Sequence, residues 1–598
     1  MRRIADFFRK IGYILDKKQK LELIGVLLIV IVTTAMELVG VTAILPFINI
    51  LMDPNAIHAN KLLDGVYVLF DFDNYISFLV LMAVILIIIY IIKNILIIKS
   101  YDLQYKFTFN NQKIMASKML NCYLKQPYLF HLNHSSAELI RSINTDIVMM
   151  YQAIVALLGF FAEVLVCIVL GVFLLLTDPM ITIIVAGALL LLALLFAKKM
   201  KNYLGYIGEE DRKYSLGIVR WLQQSFGGLK ETKIMHREQF FQNKFEEQYS
   251  KWADLERIYR NLQLIPKPIM ETICIAAIMI AIIIKLLSGT DTASFVSVIS
   301  VFAVAAFRLL PSFNRITGYI SAILFYYPAF DAVYNDLKQI DDLTNDIEIK
   351  TNNNIKNLSL KESIEIKDIS FKYPAGDDYV LKNVSLSIPK NKTVALIGPS
   401  GAGKTTLADI ILGVIEPTSG KVLIDGVNAF DNIEKWQKNV GYIPQTIYLM
   451  DDTIRNNILF GAGPLVDEER LRKAVDEAQL TDFINGLKDG LDTEIGESGM
   501  RLSGGQRQRI GIARALYENP DVLVLDEATS ALDNDTERAV MDAINSLAGT
   551  KTLIIIAHRL STVANCDIKY EIKNKSANVV SKEHFEELLL NQKKDIGK

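Results

Sequence analysis

The sequence predicts a polytopic α-helical membrane domain fused to an α/β domain that carries a phosphate-binding loop. Two observations lead to this fold class. Long apolar runs crowd into residues 24–325 of the 598-residue chain, whereas the remainder has the composition of an ordinary soluble domain. A glycine-rich motif at residues 398–405 then lies between a strand-like run and a helix-like run.

The composition excludes several other classes of protein. The formal net charge is −2, from 64 basic and 66 acidic residues, so a strongly basic nucleic-acid-binding protein is not indicated and we predict no nucleic-acid partner. The four cysteines are widely scattered and include no CxxC pair. The sequence therefore suggests neither a zinc site nor a disulfide scaffold.

Six apolar stretches are long enough to cross a bilayer, which takes about 20 residues. They are residues 24–52, 77–98, 147–177, 179–197, 264–287 and 294–325. Because the number is even, both ends of the chain are expected on the same side of the membrane. The first 20 residues carry seven Lys and Arg against two Asp. The positive-inside rule therefore places the N-terminus and the α/β domain in the cytoplasm.

The segments that flank the spans give the predicted domain bounds. Residues 1–20 place apolar side chains at helical spacing among the cations, which predicts an interfacial elbow helix; a solvated basic tail is the alternative. Residues 21–335 form the predicted transmembrane domain, whose cytoplasmic connections have few Pro or Gly and are expected to be long helices. An Asn-rich stretch marks a linker at 336–360, before the α/β domain at 361–598.

The phosphate chemistry rests on two motifs in the α/β domain. Residues 398–405 fit GxxxxGK[ST], in which backbone N–H groups wrap phosphates, Lys404 reaches the β- and γ-phosphates and Thr405 offers a hydroxyl to Mg²⁺. A buried-strand run at 522–526 ends in two carboxylates, Asp526 and Glu527. One suits Mg²⁺ and the other can polarise an attacking water, although a single acid there could also cap a helix.

A third element follows another apolar strand. His558 comes directly after residues 553–557, which in a parallel sheet would place it beside the first two motifs. A histidine after a strand carries little meaning alone. Its position gains meaning only from these neighbours.

With these motifs in order, residues 361–570 resemble the nucleotide-binding domain of ABC transporters. The resemblance implies ATP and Mg²⁺ as cofactors and ATP hydrolysis coupled to transport. Tyr373 would stack on the adenine, Glu527 would orient the water, His558 would contact the γ-phosphate, and Gln445 would link Mg²⁺ to the membrane domain. The implied nucleotide contacts are Tyr373, Gly398, Ser400, Gly401, Gly403, Lys404, Thr405, Thr406, Ser503, Gly504, Gly505 and Gln506, and the implied Mg²⁺ ligands are Thr405, Gln445 and Asp526.

The family builds two nucleotide sites at a head-to-tail dimer interface, each from one subunit's phosphate loop and the other's signature motif. This chain has one of each, so it resembles a half-transporter of the exporter class. The complete set of motifs favours a homodimer, although a different partner subunit stays open. The resemblance also implies coupling helices near residues 123–133 and 220–228.

Three membrane stretches, residues 36–47, 266–271 and 307–316, resemble PglK-type lipid-linked oligosaccharide flippases. The implied function is ATP-driven translocation of a polyprenyl-pyrophosphate glycan across a bacterial inner membrane, with membrane lipid and the glycolipid as partners. Export of another amphiphile, such as a lipid, drug or peptide, is the alternative. A further alternative is an ATP-gated protein that has no transport activity.

Five cations belong to or border spans two, five and six: Lys93, Arg260, Lys267, Arg308 and Arg315. Ionisable groups in spans are costly and usually face a cavity or a partner, and Arg makes bidentate phosphate contacts. We therefore predict that these cations hold the anionic cargo. Lys93 and Lys267 could instead extend to the interface, and Glu37, Glu163 and Glu271 could pair with the cations in a structural role.

Overall fold

The structure of the chain is a computed structural model. It describes every residue except 1, 53, 55–56, 58–60, 70–73, 178, 288–291, 351–357, 375, 464, 527–533, 558 and 597–598. Only the backbone is described for residues 2–5, 285–287, 292–308, 343–350, 534–536 and 591–596 and for some single residues and pairs elsewhere. The chain packs into two compact units, Met1–Gln126 with His131–Leu343 and Pro127–Phe130 with Thr344–Lys598. The boundary at 343/344 lies inside the predicted linker.

The first unit is helical throughout its described length, and α5, α9 and α13 have 50, 49 and 59 residues. Its helices, with α6 extending into the second unit, are α1 (Arg2–Ile14), α2 (Lys17–Thr42), α3 (Ile44–Met52), α4 (Lys61–Leu69), α5 (Tyr75–Leu124), α6 (Tyr128–Asn133), α7 (Ser136–Arg141), α8 (Ile147–Thr177), α9 (Pro179–Gly227), α10 (Leu229–Ile234), α11 (Glu238–Leu264), α12 (Pro266–Leu287) and α13 (Thr292–Lys350). A π-helical turn, Ser142–Asp146, joins α7 to α8.

Among the described residues, six helical stretches are long and apolar enough to cross a membrane, which confirms the predicted number. They are Lys17–Glu37, Tyr75–Leu124, Ser136–Leu176, Pro179–Gly227, Glu238–Ile284 and Leu309–Asp342. The helices continue well beyond the apolar runs, as predicted for the cytoplasmic connections.

The first predicted span differs from the structure at one place. Residues 24–52 read as a single apolar stretch, but α2 ends at Thr42 and α3 begins at Ile44. Pro46 lies in the first turn of α3, where a residue without an N–H group is tolerated because that turn has no intrahelical acceptor for it. A hydropathy profile does not detect this interruption, because the residues on both sides of it are apolar.

The predicted elbow helix is α1, and its apolar side chains pack on protein. The Phe7 ring lies 4.3 Å from the ring of Phe330 on α13. Beside it the Lys10 ammonium forms an ion pair with Asp331, also on α13. Phe8, on another face of α1, is 44% exposed. The regular stripe therefore serves mainly to attach α1 to the last helix.

A group of buried and half-buried polar side chains connects α5, α7, the π-helical turn, α9 and α13. We call it the Asp146 cluster, and its members are Tyr123, Arg141, Ser142, Asp146, Arg212 and Asp336. Asp146 is fully buried and accepts from Arg141 at 3.1 Å and from Arg212 Nε and Nη2 at 3.0 Å each. The Tyr123 hydroxyl donates to Asp336 at 3.0 Å. Four elements of the membrane unit and the π-helical turn are thus joined at one point.

The second unit contains two sheets and short helices. The strands are β1 (Ser363–Phe371), β2 (Leu381–Pro389), β3 (Thr393–Ile397), β4 (Ser419–Ile424), β5 (Val427–Asn428), β6 (Val440–Ile443), β7 (Val522–Asp526), β8 (Thr552–Ile556), β9 (Ile568–Lys573) and β10 (Ser576–Val579). The helices are α14 (Lys404–Ile411), α15 (Ile433–Gln437), α16 (Ile454–Leu459), α17 (Glu468–Glu477), α18 (Thr481–Asn485), α19 (Gly504–Tyr517), α20 (Asn534–Ser546) and α21 (Lys582–Ile596).

The larger sheet forms the centre of this unit. Its order is β10-β9-β3-β8-β7-β6, with β9, β3, β8, β7 and β6 parallel. All residues of β3, β7 and β8 are buried, and alternate side chains enter two different apolar clusters, one on each face. This is the pattern of a parallel sheet covered on both sides. The smaller antiparallel sheet has the order β2-β1-β4-β5.

Four residues from the earlier part of the chain, Pro127–Phe130, belong to this second unit. Leu129 packs against the apolar cluster that includes Trp436 and Ile411. The segment lies within the predicted coupling region 123–133. The second predicted coupling region, residues 220–228, belongs to the end of α9 and the residue after it. The short helix α10 begins at the next residue, Leu229.

Candidate ATP site and membrane cavity

The sequence motifs meet at the carboxyl edge of the central sheet. The glycine-rich loop follows β3, and Asp526 ends β7. The strand β8 lies between them, paired through Ile556 with Leu396 of β3 and with Asp526. The predicted position of the strand before His558 is therefore confirmed. Polar groups at this edge of a parallel sheet converge on one ligand site.

The loop has the backbone that phosphate binding requires. Gly398, Gly401 and Gly403 have φ of 143°, 76° and 98°, a region that residues with a Cβ rarely adopt. A Cβ on Gly398 would lie 2.3 Å from the carbonyl oxygen of Ile572. Gly403 is the N-cap of α14, so the first amides of that helix face the loop with the positive end of its dipole.

Lys404 holds its ammonium group across this loop. Its side chain is buried, and Nζ donates to the carbonyl oxygens of Gly398 at 2.9 Å and Pro399 at 3.0 Å. The loop therefore presents a cation and helix amides together. This combination fits the polyphosphate of a nucleotide.

The same edge fits a divalent cation. Asp526 is 7% exposed, and Thr405, which carries a hydroxyl, is exposed in the first turn of α14. Burial raises the pKa of Asp409 on α14 to about 6, and the negative charge of Asp526 adds to the effect. Two carboxylates share this environment, so a divalent cation would be electrostatically favourable. Carboxylate, hydroxyl and amide oxygens are ligands that Mg²⁺ prefers.

The remaining nucleotide contacts are found on separate elements. The Tyr373 hydroxyl is hydrogen-bonded to the Thr406 hydroxyl at 3.1 Å, which ties the predicted adenine-stacking residue to α14. Ser503 caps α19 in a capping box, with Ser503 N donating to Gln506 Oε1 at 2.8 Å and Gln506 N to Ser503 Oγ at 3.2 Å. The Ser503 side chain is exposed, so the N-terminus of α19 is open to a ligand.

The other predicted contacts differ in their exposure, and two of them are not described. Ser400, Gly401, Thr405 and Gln445 are exposed, whereas Gly504 is half-buried and Gly505 buried. Glu527 and His558 lie outside the described residues. Their roles stay predictions from sequence.

A cavity of about 500 Å³ in the membrane unit is lined by helices α5, α8, α11 and α13. Arg315 lines it, and its Nε lies 2.6 Å from Oε1 of Glu163 on α8. Nη2 also donates to Oε2 of Glu163 at 3.3 Å. The pairing agrees with the structural role that the sequence suggested for Glu163. Part of the guanidinium still reaches the cavity, since 39% of the side chain is exposed.

The other cations are placed elsewhere. Lys93 lies 4.2 Å above the Tyr90 ring, Arg260 pairs with Glu256 at 2.7 Å, and Lys267 is exposed. Of the predicted cargo-binding cations whose side chains are described, only Arg315 lines the cavity. The side chain of Arg308 lies outside the described residues.

Sequence reasoning missed the polar and aromatic lining of this cavity. It includes Tyr105, Gln112, Gln152 and Gln263, together with Tyr151, whose buried hydroxyl has no hydrogen-bond partner among the described residues. One sequence signal was present, because Tyr101, Tyr105 and Phe109 recur every four residues on α5. Their rings follow one another at 6.4 Å.

Comparison with known families matches both parts of the chain. Residues 381–530 match the family model described as ABC transporter. Residues 23–310 match the model described as ABC transporter transmembrane region. Together the two matches make up most of the chain, and they indicate ATP hydrolysis coupled to transport.

Curated relatives carry related names. A heterocyst differentiation ATP-binding protein, HepA, of Nostoc sp. is 36% identical over 54% of this chain and 51% of its own length. An ATP-dependent lipid A-core flippase of Haemophilus influenzae is 44% identical over 36% of this chain and 37% of its own. That of Ralstonia nicotianae is 27% identical over 76% of each. The chain thus matches about half or less of the length of the first two.

A solved structure supports the same fold over nearly the whole chain. A bacterial Atm1-family ABC exporter with ATP bound superposes with a TM-score of 0.72 at 21% identity, over 96% of this chain and 97% of the other. The predicted fold class is therefore confirmed. This multi-pass membrane protein belongs to the ABC transporter family, with one transmembrane region and one ATPase domain in an exporter-type fold.

Proposed function

We propose that this chain forms a homodimer that uses ATP to move a polyprenyl-pyrophosphate-linked oligosaccharide across the bacterial inner membrane. Its N-terminus and ATPase domain face the cytoplasm. The observation that carries the cargo assignment is Arg315, a cation set among aromatic and amide side chains in a cavity of about 500 Å³. Such a site suits a ligand that has both phosphate and sugar groups.

The ATPase steps follow from the residues at the sheet edge. Lys404 and the first amides of α14 bind the triphosphate of ATP. Tyr373 is held next to α14 by its hydrogen bond to Thr406. Thr405, Gln445 and Asp526 would hold Mg²⁺, which supplies neutralisation of phosphate charge. Glu527 accepts a proton from the attacking water, and His558 contacts the γ-phosphate.

The dimer follows from the incomplete site of a single copy. The exposed Ser503 and the N-terminus of α19 offer hydrogen-bond donors to a phosphate of ATP bound on a second copy. Closure of the two ATPase domains would then be transmitted through Pro127–Phe130, which fold with the ATPase unit although they follow α5 directly. This continuity supports coupling between ATP binding and the membrane helices.

The cavity lining supports a glycolipid rather than a simple hydrocarbon. Tyr105 and Phe109 offer flat apolar faces, on which sugar rings can pack, and Gln112, Gln152 and Gln263 offer amide groups for sugar hydroxyls. Arg315 would contact the pyrophosphate through Nη1, the one guanidinium nitrogen that does not contact Glu163. The cargo would thus be recognised at both its charged and its sugar part.

The direct test is ATP-dependent movement of a polyprenyl-pyrophosphate oligosaccharide in proteoliposomes that contain the purified protein. We expect accessible glycolipid to change with time when ATP is present and to stay constant in the Glu527→Gln variant. Vigorous ATP hydrolysis without glycolipid movement would contradict the cargo assignment. In that case the same vesicles should be tested with a lipid A-core glycolipid, because several relatives carry that name.

Removing Arg315, together with the predicted cargo-binding residue Arg308, should slow transport strongly. Replacing Arg315 alone would leave the buried Glu163 carboxylate unpaired, so the variant should combine Arg308→Ala, Arg315→Ala and Glu163→Gln. We expect about 10- to 100-fold slower glycolipid movement, the size expected when charge-assisted hydrogen bonds are lost, together with loss of cargo-stimulated ATP hydrolysis. Arg257→Ala, an exposed cation of α11, is the matched control. Wild-type transport by the triple variant would exclude the cation site.

A further inference from the structure

A second cavity of the membrane unit lies between α1, α8, α9 and α13 and has a volume of about 430 Å³. It does not share lining residues with the cavity that contains Arg315. Phe7 and Phe8 of α1 and Phe160 and Phe161 of α8 form much of its wall. The groove is therefore a surface on which an apolar chain can lie.

One end of this groove is cationic. Lys201 of α9 belongs to its lining, and Lys198 and Lys199 are exposed one turn or less before it. The apolar run of α9 ends at residue 197, so these lysines lie where the helix is expected to leave the inner leaflet. For Lys201, no ion pair is present among the residues that the structure describes. The ammonium group is thus available to an anion at the membrane surface.

The charged groups between α1 and α13, near the lining residue Tyr327, are already paired with one another. Lys10 of α1 forms ion pairs with Asp6 and with Asp331, and the Tyr327 hydroxyl donates to Asp6 at 3.1 Å. These groups fix α1 against α13. A ligand would accordingly meet apolar rings along its length and Lys201 at its head.

We propose that this groove binds an anionic phospholipid of the inner leaflet, with an acyl chain along the phenylalanine wall and the phosphate against Lys201. An anionic phospholipid is the expected occupant because Lys201 offers a positive charge and lies where α9 is expected to leave the inner leaflet. A basic residue at the cytoplasmic surface contributes about 1 kcal/mol to the binding of anionic lipid. The site is independent of the ATP site and of the cargo cavity, and it holds α1 to the membrane at the same time.

Two matched pairs of variants separate the groove from its surroundings. Gly205 lines the groove, and a Cβ there would have no atom within 4 Å, so Gly205→Leu fills the groove without a backbone clash. Gly187→Leu is its control, since Gly187 is on the same helix, equally open and outside the groove. Lys201→Gln removes the cation, and Lys230→Gln is its control, because Lys230 is an exposed lysine of α10 outside the lining and outside the cationic end of α9.

The measurement is native mass spectrometry of the full-length protein after exposure to phosphatidylglycerol or phosphatidylcholine. We expect wild type to retain phosphatidylglycerol in preference, Lys201→Gln to retain about fivefold less of it, and Gly205→Leu to lose it. Both controls should behave as wild type. Equal retention by all variants would overturn the proposal. So would a lower dimer fraction of Gly205→Leu with unchanged lipid retention, because it would assign the groove to a second copy of the chain.

Discussion

The Glu527→Gln variant is expected to hydrolyse ATP about 10²- to 10⁴-fold more slowly than wild type, while ATP binding persists. A carboxylate that accepts a proton from the attacking water typically contributes a factor of this size. The amide keeps the shape of the side chain but cannot accept the proton. Steady-state phosphate release and binding of a fluorescent nucleotide, measured on the same protein, separate the two effects.

Glu518→Gln provides the control for this variant. Glu518 is an exposed acid at the end of α19, only nine positions before Glu527 in the chain, and it takes no part in the predicted site. We expect it to leave turnover unchanged. Turnover at the wild-type rate in Glu527→Gln would remove Glu527 from the mechanism, and lost nucleotide binding would show a folding defect instead.

The Asp146→Ala variant is expected to destabilise the membrane unit by about 3–5 kcal/mol. Asp146 is fully buried and accepts hydrogen bonds from Arg141 and Arg212, so its removal leaves two guanidinium groups without their counter-charge. The side chains of Arg141 and Arg212 are 5% and 23% exposed, which limits compensation by water. The thermal unfolding midpoint of the purified protein in detergent reports the loss.

An exposed ion pair gives the comparison. Asp254→Ala breaks the pair of Asp254 with Arg257, whose side chains are 64% and 65% exposed, and should change stability by less than about 1 kcal/mol. Replacing Arg141 and Arg212 by Met together with Asp146→Ala should recover much of the loss, because the two guanidinium groups are then removed together with their counter-charge. Equal unfolding midpoints for Asp146→Ala and Asp254→Ala would contradict a buried charge at this position.

The features that sequence predicted best are those set by short stretches of chain. Hydropathy identifies the six spans, because each is a continuous run measured over about 20 residues. The loop at residues 398–405 was equally predictable, since its glycines and Lys404 stand next to one another in the chain. The parallel arrangement around Asp526 followed from buried strands that end in polar residues.

The features that sequence missed depend on residues that are distant in the chain. Arg212 meets Asp146 across 66 positions, and Ser142 meets Asp336 across 194. The apolar stripe of α1 was visible, but the same stripe fits lipid or protein, and only the structure shows Phe7 against Phe330. For the same reason, sequence could not separate Arg315, which lines the cavity, from Lys93, Arg260 and Lys267, which do not.

The segment Pro127–Phe130 limits how this chain can be divided into fragments. Leu129 packs on the apolar cluster of the ATPase unit. Expression of residues 344–598 alone would therefore expose an apolar surface to solvent. Such a fragment would self-associate more readily than the whole chain. A short synthetic peptide spanning 123–133 should restore its solubility, because it supplies the segment that packs on this cluster in the whole chain.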